Sequence, residues 1–245
     1  MGQATVTRPS LHVLARREDV DPARLAGQVV VVVDVLFATS TIIHALGAGA
    51  ASVYPACNDE DARAAAARSP GALVAGEYLA RPLPGHAPAT PLALASQLRP
   101  GGQLVYFTTN GTRAIAACGD AIAVYAGALT NAAAVARRVV AAHPGQPVLL
   151  LCAGSLGRLS LEDFVGAGHL VRALRGSGDY APTDAALAAE FASLGVAPGA
   201  ALVDSRVGRM LSRAGMDEEI AHAAGCDTCE VVPVLRDGVL VRAVA

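Results

Sequence analysis

The sequence predicts an α/β fold: three layers, α/β/α, around a mostly parallel central sheet, with the active site at the C-terminal edge of the strands. Two observations carry that prediction. Near-continuous apolar runs of five or six residues, such as Gln28-Val-Val-Val-Val-Val33 and Pro147-Val-Leu-Leu-Leu-Cys152, suit strands buried on both faces. Each is followed by a short turn of small and hydroxylic residues and then a helical pattern, a device that occurs three times and matches strand–turn–helix units of a parallel sheet.

In chain order, Leu11–Glu18 reads as a first strand. The valine run is the second; it ends in Asp34, and Thr39, Ser40 and Thr41 open a helix. Ala51–Cys57 is a strand, Asp59–Ala67 a helix, and Ala72–Glu77 a strand ending in another carboxylate, Glu77. The proline-rich 81–91 segment must be a loop. A strand over 102–107 leads into the turn Thr108-Thr109-Asn110-Gly111-Thr112 and a helix. The strand over 147–152 leads into Gly154-Ser155-Leu-Gly157-Arg158 and a helix over 161–174. Residues 176–185 read as a linker before a more helical region, and 229–244 as a hairpin turning at Asp237-Gly238. The chain is taken as one domain over 1–245, with 176–245 as a candidate subregion.

Composition narrows the chemistry. At 245 residues and 53% hydrophobic the chain can bury a large core. A net charge of −2 and 4% aromatics, with no tryptophan, argue against a nucleic-acid partner. All 19 basic residues are arginine, which excludes a P-loop lysine, a Schiff-base lysine or a lysine general base. Any anion must be held by arginine, hydroxyls, backbone N–H groups or a metal. No apolar run reaches the ~20 residues of a membrane span, and MGQATVTRPS lacks a signal-peptide pattern, so no membrane partner and a cytoplasmic location are expected. Five cysteines do not suggest a disulfide framework; Cys226 and Cys229 form C-D-T-C without a second pair to complete a zinc site.

Turns after parallel strands emerge at one sheet edge, where N–H groups, helix termini and hydroxyls can surround an anion. Asp34 ends an otherwise apolar strand and needs a partner: a metal, a helix N-terminus or an arginine. Glu77 stands similarly, as second ligand, general base or ion-pair partner. Glu162 and Asp163 begin a helix, where the dipole favours them, and Asp163 is the preferred catalytic candidate of the two. Thr39, Ser40, Thr41, Thr108, Thr109, Asn110, Gly111, Thr112 and Ser155 are candidate contacts to phosphate oxygens, some of them serving as helix caps. Arg158 is the chosen bidentate contact.

Taken together, D-V-L-x-A-T-S-T from Asp34, Gly76-Glu77, T-T-N-G-T from Thr108, C-A-G-x-x-G-R-x-S-L-E-D from Cys152 and S-x-x-G-x-x-L from Ser205 resemble the 2-phosphosulfolactate phosphatase family. That resemblance implies a Mg²⁺-dependent phosphatase acting on a small phosphorylated sulfonate of coenzyme M biosynthesis, with Asp34 and Glu77 as metal ligands and Asp34, Glu77 and Asp163 as catalytic residues. A small anionic phosphoester is the expected partner, and a homodimer the expected assembly. The chain departs from the family pattern at Phe37, where an arginine is usual, at Tyr78, and at Ala89 in place of an asparagine; Arg81 or Arg113 could substitute. Whether Asp34 attacks phosphorus or binds the metal stays open. A haloacid-dehalogenase-type reading fails because Leu36 occupies the position of its second aspartate. Two alternatives remain: a diverged member that binds an anion without hydrolysing it, and a nucleotide-binding protein, which the lack of a G-x-G-x-x-G after any strand disfavours.

Overall fold

The computed structural model describes residues 8–78 and 81–244. The valine run forms β2 (Val29–Val33), following β1 (Ser10–Leu14); all five valines are buried. Then come α1 (Ala38–Gly47), β3 (Ser52–Ala56), α2 (Asp59–Arg68), β4 (Leu73–Tyr78), β5 (Arg81–Pro82), α3 (Pro91–Ala95), β6 (Gln103–Phe107) and α4 (Gly111–Ala116). Next are β7 (Ala123–Gly127), α5 (Ala132–Ala142), β8 (Val148–Cys152), α6 (Leu161–Ser177), β9 (Ala181–Pro182) and α7 (Asp184–Leu194). The chain closes with α8 (Pro198–Asp204), α9 (Arg206–Arg213), α10 (Asp217–Ala223), β10 (Pro233–Arg236) and β11 (Val239–Arg242).

These strands form one sheet in the order β5-β4-β6-β3-β11-β10-β7-β2-β8-β1-β9. It is mostly parallel and flanked by helices, as the sequence predicts. The parallel strands fall into two blocks, β4-β6-β3 and β7-β2-β8-β1, joined by the antiparallel β10–β11 hairpin. The hairpin turns at Asp237 and Gly238, both with positive φ, as a two-residue primed turn requires. Its insertion in mid-sheet reverses the hydrogen-bonding sense of β6 relative to β2. β6 lies five strands along from β2, and at roughly 20–25° of twist per strand the accumulated rotation exceeds ~100°. The C-terminal ends of β2 and β6 meet where the Asp34 carboxylate accepts from the Gly111 amide.

Period-2 alternation distributes the valines. Val29, Val31 and Val33 face α5, α6 and α7 in one core cluster; Val30 and Val32 face α1, with Leu104 and Tyr106 of β6 in the same second cluster. A third, small cluster packs α2 on β3 and β6 through Ala62, Ala65 and Phe107. At about 1.5–3 kcal/mol per fully buried valine, β2 alone anchors the central block.

Two segments differ from the sequence reading. The supposed linker is ordered: α6 runs on to Ser177, Tyr180 is buried, β9 pairs with β1, and the Thr183 hydroxyl caps α7 by accepting from the Ala186 N–H. Within the supposed loop, Arg81 and Pro82 pair with β4. Tertiary pairing partners supply what these short stretches lack locally. Among the described residues no single helix is long and apolar enough to cross a membrane.

Candidate functional site

At the ends of β2, β4, β6 and β8 lies a cavity of about 350 Å³. It is lined by Asp34, Glu77, Glu162 and Asp163 and by apolar side chains that include Phe37, Val207, Met210 and Met216. Arg206 is the one basic residue lining it among the described residues.

Asp34 follows β2 directly and is 8% exposed. Its Oδ1 accepts the Ala38 N–H (3.3 Å) and its carboxylate also accepts from Gly111, so one side chain links the starts of α1 and α4. Gly111 is required there by proximity: a Cβ on it would lie 2.3 Å from the Ala38 Cβ and 2.5 Å from Asp34 Oδ2. Burial, opposed by the two amides and reinforced by the charges of Glu162 and Glu77, pushes the Asp34 carboxyl up to about 7.

Asp163, in the first turn of α6, bridges two turns. Its Oδ1 accepts the Val35 N–H (2.9 Å) and its Oδ2 the Gly154 N–H (3.1 Å), locking the end of β2 to the end of β8. Gly154 has φ +67°, and a Cβ there would meet the Arg158 carbonyl at 2.8 Å. Burial first, then the nearby Asp34 and Glu162, hold Asp163 well above the ordinary carboxylate range. Glu162, 2% exposed, accepts from the Ser160 hydroxyl (3.1 Å); burial raises it, while Arg206 pulls the other way. Glu77 accepts from the Thr109 N–H (2.7 Å) and hydroxyl (3.3 Å).

Most of the donors expected to capture an anion are already engaged within the protein. Thr39 bonds the Asp34 carbonyl (2.8 Å), Ser40 the Val35 carbonyl (2.9 Å) and Thr41 the Ala89 carbonyl (3.1 Å); none of the three lines the cavity. Thr108 and Thr112 exchange side-chain and backbone bonds that cap α4, with Thr112 fully buried. Thr108, Thr109, Asn110 and Ser155 do line the cavity, and Gly111 backs it through Asp34. The first helix start thus presents its carboxylate, not its hydroxyls.

Arg158 stands elsewhere. Its backbone closes the tight turn with Ser155 (N–H to carbonyl 2.9 and 3.1 Å), but its side chain is exposed and does not line the cavity. Arg206, the first residue of α9, lines the cavity instead and bonds the Ser155 hydroxyl (2.5 Å). It was missed because nothing local marks an arginine at a helix start as facing a turn 51 residues away; the S-x-x-G-x-x-L motif beginning at Ser205 was the available signal. Arg113 donates to the Cys57 carbonyl (3.0 Å), and neither it nor Arg81 lines the cavity. Phe37 and Ala89 line it, whereas Tyr78 is exposed. Ala89 contributes a carbonyl that accepts from the buried Tyr106 hydroxyl (2.6 Å).

A cation fits this chemistry. Four carboxylates share the cavity with one guanidinium, and burial raises Asp34, Glu162 and Asp163 above the ordinary carboxylate range. No group of three or more His, Cys, Asp or Glu residues among those described forms a ready metal cage. Mg²⁺ needs only one or two carboxylates and keeps its remaining positions for water and phosphate oxygens. Asp34, Glu77 and Glu162 line the cavity as ligand candidates, while Asp163 ties the Val35 and Gly154 amides together.

A family model described as 2-phosphosulpholactate phosphatase matches residues 15–238. Relatives carrying the name "Probable 2-phosphosulfolactate phosphatase" include one from Symbiobacterium thermophilum, 36% identical over 91% of this chain and 98% of its own length. Another, from Deinococcus radiodurans, is 34% identical over 91% and 93%, and a third, from Synechococcus sp. (strain CC9605), 36% identical over 89% and 94%.

Proposed function

Because the chain belongs to the 2-phosphosulpholactate phosphatase family, we propose that it hydrolyses a small anionic phosphomonoester, either 2-phosphosulfolactate or a related ester, with Mg²⁺ as cofactor. The observation that supports this most directly is the convergence of Asp34, Glu77, Glu162 and Arg206 on one cavity at the strand ends. In the reaction, water's oxygen forms a bond to phosphorus, the ester P–O bond breaks, and the proton lost by water balances the one gained by the departing alcohol.

Mg²⁺, held by Asp34 with Glu77, would polarise the phosphoryl group and acidify a bound water. The chain's own residues do the rest. Arg206, anchored on Ser155, offers its guanidinium to phosphoryl oxygens, a charge-assisted contact worth about 1.5–3 kcal/mol. Asp163 fixes the turns that carry Asp34 and Ser155. Glu162, raised by its burial, can hold a proton at the cavity wall.

Phosphate release from 2-phosphosulfolactate and simple phosphomonoesters, abolished by EDTA and by Asp34→Asn, is the expected result. The second reading, a diverged member that binds without hydrolysis, is favoured by Phe37 and by the engaged turn donors. Calorimetric binding of phosphoesters with no phosphate released would select it.

A further inference from the structure

Resting on the phosphatase reading, we infer that Arg209 determines specificity: its guanidinium, in a side cavity adjoining the main one, receives a second acid group of the substrate, a sulfonate or carboxylate on the carbon skeleton of the phosphomonoester.

The side cavity has a volume of about 160 Å³ and shares Ser160, Glu162, Arg206 and Val207 with the main cavity. Glu162 stands at the junction, where its carboxylate accepts from the Ser160 and Ser205 hydroxyls. Arg206 stands there too, so a molecule whose phosphoryl group meets Arg206 has the side cavity beside it. Arg209 lines the side cavity and not the main one.

Charge points the same way. The eight residues of α9, RVGRMLSR, include three arginines and no acid. Arg206, Arg209 and Arg213 lie at i, i+3 and i+7, which the helical period puts on one face, and all three are exposed. Among the described residues no carboxylate oxygen comes within 4 Å of any of them, whereas Arg8, Arg16, Arg17, Arg63, Arg137 and Arg175 each have one. Arg209 donates to the Asp204 carbonyl, a neutral acceptor that steadies the guanidinium without cancelling its charge. The Cβ atoms of two residues so placed, one helical turn apart, are about 5–6 Å from each other. That spacing suits a phosphoryl group and an acid carried on a skeleton of two or three carbons. A guanidinium also offers the paired N–H groups that a sulfonate or carboxylate accepts.

The test uses the full chain with Mg²⁺ and reads KM for 2-phosphosulfolactate beside the inhibition constant of inorganic phosphate, which fits the phosphoryl position alone. Arg209→Ala should raise KM about tenfold relative to that constant, as expected for loss of one charge-assisted hydrogen bond. Arg213→Ala, off both cavities, should change the ratio less than twofold, which separates a local contact from general attraction by a basic surface. A relative rise below threefold in Arg209→Ala, or an equal rise in Arg213→Ala, overturns the inference, while turnover itself keeps the phosphatase reading. If wild type releases no phosphate, that reading fails instead, and calorimetry of the same two compounds decides the inference. Arg209→Ala weakening 2-phosphosulfolactate binding at least threefold more than phosphate binding supports it; a smaller difference refutes it.

Discussion

The carboxylate of Asp34 rests against the backbone of Gly111, so closely that a Cβ on the glycine would stand 2.5 Å from Oδ2. Residues 77 positions apart thereby join the ends of β2 and β6. Gly111→Ala should push Asp34 and α1 away from α4, costing about 1–3 kcal/mol of stability and at least tenfold in kcat/KM. The glycine has no positive φ, so the loss tests proximity alone. Wild-type turnover by the alanine variant would show that the contact is not needed.

The proton linkage of Asp34 has a definite sign. Its carboxyl is raised from 3.8 to about 7 on folding, so the folded state holds more protons across that window. Stability of the metal-free protein therefore falls as pH rises from about 4 to 7, and the deficit is complete above 7. For Asp34 its size is on the order of 4 kcal/mol. Glu162 and Asp163, also raised, act in the same direction. Asp34→Asn should unfold at a higher temperature than wild type at pH 8, with little difference at pH 4, while losing phosphatase activity. Equal melting temperatures at pH 8 would contradict this.

With Asp34 as the proposed Mg²⁺ ligand, ion and protons would compete for the same oxygens. The ion should raise the melting temperature strongly at pH 8 and weakly at pH 5, and its binding near pH 6.5 should release protons to buffer. Calorimetry in two buffers of different ionisation heat reads that release directly; no buffer dependence would remove Asp34 as a ligand.

Arg206 and Arg158 make a matched pair of controls. Arg206→Ala removes the one guanidinium of the cavity and should raise KM about 10- to 100-fold, the kinetic equivalent of a charge-assisted hydrogen bond. Arg158→Ala, altering an exposed side chain off the cavity, should stay within twofold of wild type. The reverse pattern would restore Arg158 to the site.

The wall that includes α10 is tethered by Glu219. Buried at 8% exposure, it accepts from the Thr90 hydroxyl (2.5 Å) and from the Ala93 (2.8 Å) and Leu92 (2.9 Å) amides, capping α3 from outside. Glu219→Ala should cost about 1–3 kcal/mol and speed hydrogen exchange at Leu92 and Ala93. Unchanged exchange there would mean the cap holds nothing in solution.

The sequence by itself determined the elements whose cause is local. Five valines in a row make a strand buried on both faces, Asp237-Gly238 makes a primed turn, and small hydroxylic residues after a strand begin a helix. Asp34 and Glu77 could be singled out because a carboxylate at the end of an apolar run demands a partner, and Asp163 because it opens a helix after such a strand and turn. Only the tertiary structure decided which partner. Asp163 binds the Val35 amide across 128 residues, Arg206 replaces Arg158 beside Ser155, and Thr39, Ser40 and Thr41 turn from the cavity to nearby or distant carbonyls. It also decided the sheet, since a hairpin from the C-terminus separates the two parallel blocks and lets their twist bring the strand ends together. Periodicity and turn chemistry act over a few residues, whereas a side chain's direction and charge environment depend on whatever distant segments fold against it.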